Sequence, residues 1–246
     1  MENPLHHFEL HPILPLHLFG IDISINKAVI MMWIACGLVL LFFYLATRRA
    51  SLVPRRLQSV AEKAVEFLRG MAVQNIGPLG HKFFPFIATL FFFVLANNVI
   101  GLIPGSYTPT SQIIVTGFFA LLVYGVSLVL GFARHGLHFF TVLTPAGTPG
   151  WLFPLMIPIE VISQLSRPIT LAVRLFANMT AGHIILTVLF SLMLVAPVYL
   201  GVFYIGIVPF AMSILIYGLE LFVAFIQAYI FTILACVYLG ESVKLH

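Results

Sequence analysis

Long apolar runs separated by short polar ones dominate this chain, and their lengths decide what they can be. Residues 28–47, 83–103 and 112–133 each hold about 20 nearly unbroken hydrophobic positions, enough for a helix to cross ~30 Å of hydrocarbon. Two later runs, 151–195 and 202–240, are much longer. At ~1.5 Å per residue each would exceed ~50 Å as one helix, more than an upright crossing needs. Pro168 is placed to kink the first, and Pro197 with Gly201 to turn the chain between them. The pattern predicts an all-α membrane protein with five membrane-crossing helices, the last two forming a long, tilted, antiparallel hairpin.

Residues 54–77 keep a helical period with a different composition. Leu57, Val60, Ala61, Ala64, Val65, Leu68, Met71 and Ala72 recur at helical spacing. Arg55, Arg56, Gln58, Glu62, Lys63, Glu66 and Arg69 fill the opposite face, and Pro54 suits a helix start. This reads as an amphipathic helix lying on the membrane surface, with packing against its own chain as the rival reading. Ser106 to Ser111 form a short uncharged turn, and the stretch holding Pro145, Gly147, Pro149 and Gly150 reads as a loop. Residues 1–27 carry His6, His7, His11 and His17 but lack the basic start of a cleaved signal peptide, so they read as an outer N-terminal segment.

Composition removes the soluble alternatives: 61% of residues are hydrophobic and only 8% charged, against ~25% charged in an average soluble domain. Charge placement sets orientation. Arg48, Arg49, Arg55, Arg56, Lys63, Arg69 and Lys82 all fall between the first two crossings, so that loop is inside by the positive-inside rule. The N-terminus is then outside, and Arg134 and the C-terminus with Lys244 are inside. No basic run interleaved with aromatics supports nucleic-acid binding. There is no GxxxxGK[ST], HExxH, CxxC or GxSxG pattern, so the chain carries no nucleotide site, metal or cofactor and is no enzyme by itself. Cys36 and Cys236, far apart within apolar segments, are expected to be buried thiols.

The candidate chemistry lies in the polar residues of the last two runs: Glu160, Gln164, Arg167, Arg174, Asn178, His183, Glu220 and Gln227. At ~100° per residue, Glu160, Arg167, Arg174 and Asn178 fall within about 80° of one another, one polar stripe over five turns. Arg174 is the most demanding of them. A guanidinium stays charged, and placing one at bilayer depth costs at least ~2.5 kcal/mol. No acid in its own turn neutralises it. An antiparallel hairpin also constrains depth: Arg174 with Gln227 average to position 200.5, and His183 with Glu220 to 201.5. One turn therefore sets an arginine level with an amide and a histidine level with an acid, which suits groups that need partners in low dielectric. Each has a plainer reading. Asn and Gln serve as interhelical hydrogen bonders, and Arg167 and Glu160 as interfacial groups. Asn178-Met179-Thr180 matches a glycosylation sequon but lies within the membrane.

Arg174-Leu175-Phe176-Ala177-Asn178-Met179 followed by Ala181-Gly182-His183 closely resembles the signature of subunit a of F-type ATP synthases. The resemblance covers nearly the whole chain. It takes in Asn98-Val99-Ile100-Gly101-Leu102-Ile103-Pro104, Glu160 with Leu165-Ser166-Arg167-Pro168, and Gln227-Ala228-Tyr229-Ile230-Phe231. It implies that Arg174 is the essential arginine facing the carboxylates of the rotating subunit c ring, with Gln227 across from it. It also implies that His183 and Glu220 are the acid–histidine pair of the outer half-channel. Glu160 becomes an acid near the inner half-channel, Asn98 a polar residue of the outer route, and Asn178 a further member of the arginine motif. Gly101 departs from the family, standing where some members have an acid. Implied partners are the c ring, subunit b or an equivalent peripheral stalk, and lipid. The implied location is a bacterial plasma membrane, with the mitochondrial inner membrane as the alternative. A secondary transporter would need its own substrate cavity, often with internal repeats, and no repeat is seen.

Overall fold

The structure is a computed structural model, and it describes residues 12–244 apart from 15–16, 19–20, 23, 49, 52, 104–105, 144–151 and 201–205. His6, His7, His11, Arg49, Pro104, Pro145, Gly147, Pro149, Gly150 and Gly201 therefore lie outside the described residues. Six α-helices follow in order: α1 Lys27–Thr47, α2 Arg56–Ile76, α3 Gly80–Gly101, α4 Ile113–His135, α5 Phe153–Leu200 and α6 Ile207–Val243. Five of them, all but α2, are long and apolar enough to cross a membrane. The chain is thus an all-α membrane protein. At ~1.5 Å per residue α5 is about 70 Å long and α6 about 55 Å.

Some local features differ from the sequence reading. Short antiparallel pairings join Pro12–Leu14 to Ile25–Asn26 and His17–Leu18 to Ile21–Asp22 ahead of α1. Gly136–Leu143 continue from α4 as a 3-10 helix. Pro197 was expected to help turn the chain, yet α5 runs through it to Leu200. Proline forfeits one backbone hydrogen bond, and the apolar run on both sides carries the helix past that loss. Cys236 is buried as expected, but Cys36 is exposed, because α1 buries little of itself against the chain and presents its side chains outward.

The chain divides into two compact units. The first comprises residues 1–42, 92–112 and 175–228. Its interior is unusually polar: Asn97, Asn98, Thr110 and Glu220 are buried beside Val94, Leu175, Met179 and Ala224. The second comprises residues 43–91, 113–174 and 229–246. Its interior is mainly apolar, with Leu68, Ile76, Ile87, Val123, Phe231 and Leu239 fully or nearly fully buried. Here α2 departs from the simple amphipathic picture. Gln58, assigned to its polar face, is buried; its Nε2 donates to the Ser51 carbonyl (3.1 Å) and to Glu62 Oε1 (2.8 Å). Ala61, Leu68, Met71, Ala72 and Ile76 bury beside it, while Leu57, Val60 and Phe67 remain exposed. So the broad apolar face of α2 is only partly packed against its own chain, and the rest of it faces out.

Candidate functional site

In the first unit the long α3 positions Asn98 wholly inside. Its Nδ2 donates to the Ala224 carbonyl of α6 at 3.3 Å, and its Oδ1 accepts from Thr110 Oγ1 at 2.9 Å. One amide thus ties α3 to the backbone of α6 and to the turn that follows α3. An unpaired amide there would be costly, so both bonds help fix the turn. Glu220, one helical turn before Ala224, is also buried. Its carboxylate lies directly against Gly182 of α5, where any Cβ would collide with both carboxylate oxygens. Gly182 and Glu220 average to position 201, so α5 and α6 run antiparallel here with the depth relation expected for His183 and Glu220.

His183, Glu220, Asn98 and Thr108 border one cavity of about 10 Å³, at the lower limit for a single water. An imidazole, a carboxyl group and a buried amide therefore border one small space whose lining is otherwise mostly apolar. The His183 carbonyl accepts from the Thr187 hydroxyl. Gly101 also borders the cavity, and a Cβ there would strike the Thr108 side chain. This chain therefore has no room for an acid at 101 with Thr108 as placed. Beside the cavity Tyr107 accepts a hydrogen bond from Gln112 Nε2. Burial pushes its phenol above the ordinary 10, and the Gln112 bond offsets part of that, so the hydroxyl stays protonated at neutral pH.

In the second unit Glu160 and Gln164 sit one turn apart on α5, and Gln164 Nε2 donates to Glu160 Oε1 at 2.9 Å. One turn further, Arg167 forms an ion pair with Glu241 near the end of α6. Its guanidinium also lies 5.5 Å from the centre of the Tyr238 ring, within cation–π range. Arg167, Glu241, Gln164, Tyr124 and Tyr238 border a cavity of about 30 Å³, above what one water needs. Ser127 of α4 closes one side, donating to the Tyr238 carbonyl at 3.1 Å and sharing a 2.7 Å bond with Ser242.

The remaining candidates border neither cavity. Arg174 is exposed on α5, and among the described residues no carboxylate pairs with it. Asn178, one turn on, has a buried Nδ2 with no hydrogen-bond partner among the described residues. Gln227 is half-buried on α6. Arg174 and Gln227 fall in different units and are each described alone. Sequence reasoning missed Glu241 and Thr110. The hairpin arithmetic could have found the first, since Arg167 and Glu241 average to 204. Nothing in the periodicity marks Thr110, which acts from a turn. Among the described residues no three His, Cys, Asp or Glu side chains gather as a metal would require.

A family model described as ATP synthase A chain matches residues 29–240. A Rhodospirillum rubrum protein named ATP synthase subunit a is 45% identical over 246 residues, covering 100% of both chains. Proteins of the same name from Magnetococcus marinus and Rhizobium leguminosarum are each 46% identical. They cover 99% and 98% of this chain, and 94% and 97% of their own lengths.

Proposed function

The chain belongs to the ATP synthase A chain family, and from that premise we propose that it is the proton-conducting stator subunit, offering two offset half-channels to the c ring. As a family member it is a multi-pass membrane subunit of the ATP synthase complex and associates with the other subunits. The finer reading rests on one observation above all: Arg174 presents a fixed positive charge on the exposed face of a membrane-length helix, with no carboxylate beside it among the described residues. A charge so placed needs a counter-charge from outside the chain, and a ring carboxylate supplies one.

In this reading a proton from the outer side passes Asn98 and reaches His183 and Glu220. Imidazole exchanges protons near neutral pH, so the pair hands the proton on without a large barrier. The proton neutralises a ring carboxylate, which can then turn into lipid; an ionised carboxylate could not, because its desolvation is too costly. After nearly a full turn the carboxylate meets Arg174, whose charge favours the ionised form, and the proton leaves by the inner route near Glu160. Arg174 cannot lend its own proton, and so it separates the two routes. Gln227 and Asn178 are further polar groups of the last two helices that this reading assigns to proton transfer. Each proton that crosses supplies about 2.3 kcal/mol per 100 mV. The N-terminus is outside and the C-terminus inside a bacterial plasma membrane, as the basic loop between α1 and α3 and the bacterial relatives support. The peripheral stalk holds the chain against the ring's torque.

Ala177 is exposed and one turn from Arg174, so it provides the test. In the assembled complex, Ala177→Cys is expected to cross-link to a cysteine placed beside the ring carboxylate. No cross-link, with the complex intact, would overturn the assignment of this face to the ring and return the self-contained transporter as the better reading.

A further inference from the structure

We propose that Glu241 is an electrostatic positioning residue of the inner proton route, acting by neutralising Arg167 so that Arg174 remains the one uncompensated cation of its stripe. This rests on the reading of Glu160 as a group of the inner route. The polar stripe of α5 carries one acid and two arginines at seven-residue spacing, Glu160, Arg167 and Arg174. Left alone, Arg167 would stand as a second positive barrier two turns from Glu160, on the side where protons exchange with the interior. Glu241 removes that barrier by pairing with Arg167 from α6, and Tyr238 takes up the other side of the guanidinium by cation–π contact.

The geometry argues against a mainly structural role for the pair. The Arg167 side chain is 26% exposed and that of Glu241 51% exposed, so water weakens the attraction between them. The two border a cavity large enough for water that Gln164 also lines, and Gln164 holds Glu160. Among the described residues, the other titratable groups bordering that cavity are Tyr124 of α4 and Tyr238 of α6, both phenols that are neutral at physiological pH. The charge balance around Glu160 is therefore set by Arg167 and Glu241, with Arg174 further along the same stripe. With Glu241 gone, the unpaired Arg167 charge would repel protons approaching from inside.

The test uses the whole complex in vesicles, comparing ATP-driven proton uptake from the inner side with proton flow driven from the outer side. Glu241→Gln is expected to slow inner-side uptake roughly threefold to tenfold, as one unpaired charge does at a water-accessible site. Outer-driven flow should change less than about twofold. The double variant Arg167→Gln with Glu241→Gln is expected to restore inner-side uptake, because it removes the cation as well. A double variant as slow as the single one would overturn the proposal, since a mechanical clamp would behave that way. So would an unaffected Glu241→Gln. If Glu241→Gln fails to assemble, Arg167→Gln alone decides: it should raise inner-side uptake up to about threefold by leaving an unpaired anion, and slower uptake would overturn the idea. Arg174→Ala in the same vesicles separates the two readings. Retained ATP synthesis there would defeat the proposed function itself, whereas its loss beside a neutral Glu241→Gln would defeat only this inference.

Discussion

Asn98, His183 and Glu220 border a cavity at the lower limit for one water, while Gln164, which holds Glu160, borders a larger one with Arg167 and Glu241, whose ion pair is partly in the open. The first cluster has few charges and deep burial. Its amide bonds bind helices together, and a glycine is required for the acid to fit. The second has opposed charges that water can reach. In the proposed reading, the difference teaches how each would move protons. A buried site has to pass a proton between groups already in contact, so its geometry is critical. An open site can let water carry the proton, so its net charge matters more than its fit.

That contrast can be broken at the buried cluster first. Gly182→Val puts a side chain where the Glu220 carboxylate lies. It is expected to cut outer-side proton uptake by ~100-fold or more, the usual loss when a positioned proton-transfer group is displaced. Overpacking should also cost ~1–3 kcal/mol of stability. Unchanged flux in vesicles would show that tight fit does not matter there. His183→Ala leaves Glu220 in place, so uptake should fall by only ~10-fold, with the ATP made per proton unchanged. Loss of coupling together with flux would assign His183 a different role. Asn98→Ala strips the partner from the Thr110 hydroxyl and should cost ~1–3 kcal/mol in thermal unfolding of the detergent-solubilised complex. Glu241→Gln should cost the least stability, no more than ~1 kcal/mol, because its ion pair is half exposed. A loss as large as that of Asn98→Ala would erase the distinction between the two clusters.

The crossings were legible because a membrane helix announces itself by length and apolar content, as α1, α3 and α4 do. The hairpin arithmetic was legible too, since helices of constant rise convert sequence number into depth, and His183 and Glu220 do border one cavity. What was hidden depends on packing. Gly182 stood in a quoted motif, yet only its contact with the Glu220 carboxylate explains why a glycine is needed. Gly101 looked like a missing acid; in the fold it is the space that Thr108 fills. Gln58 read as a surface residue because composition assigns polar groups outward; Glu62 pairs with it one turn along α2, but the Ser51 bonds that also satisfy it arise from a loop whose path the periodicity does not encode. Cys36 failed in the opposite sense: an apolar segment was taken to bury its thiol, but a helix that packs little of itself against the chain exposes most of its own surface.

The central claim is that Arg174 separates two proton routes and carries no proton itself. The direct measurement is ATP synthesis and passive proton flux, side by side, in vesicles containing the Arg174→Ala complex. The account expects synthesis to vanish while protons still cross, because the barrier between the routes has been removed. Coupled synthesis at the unmodified rate would contradict it.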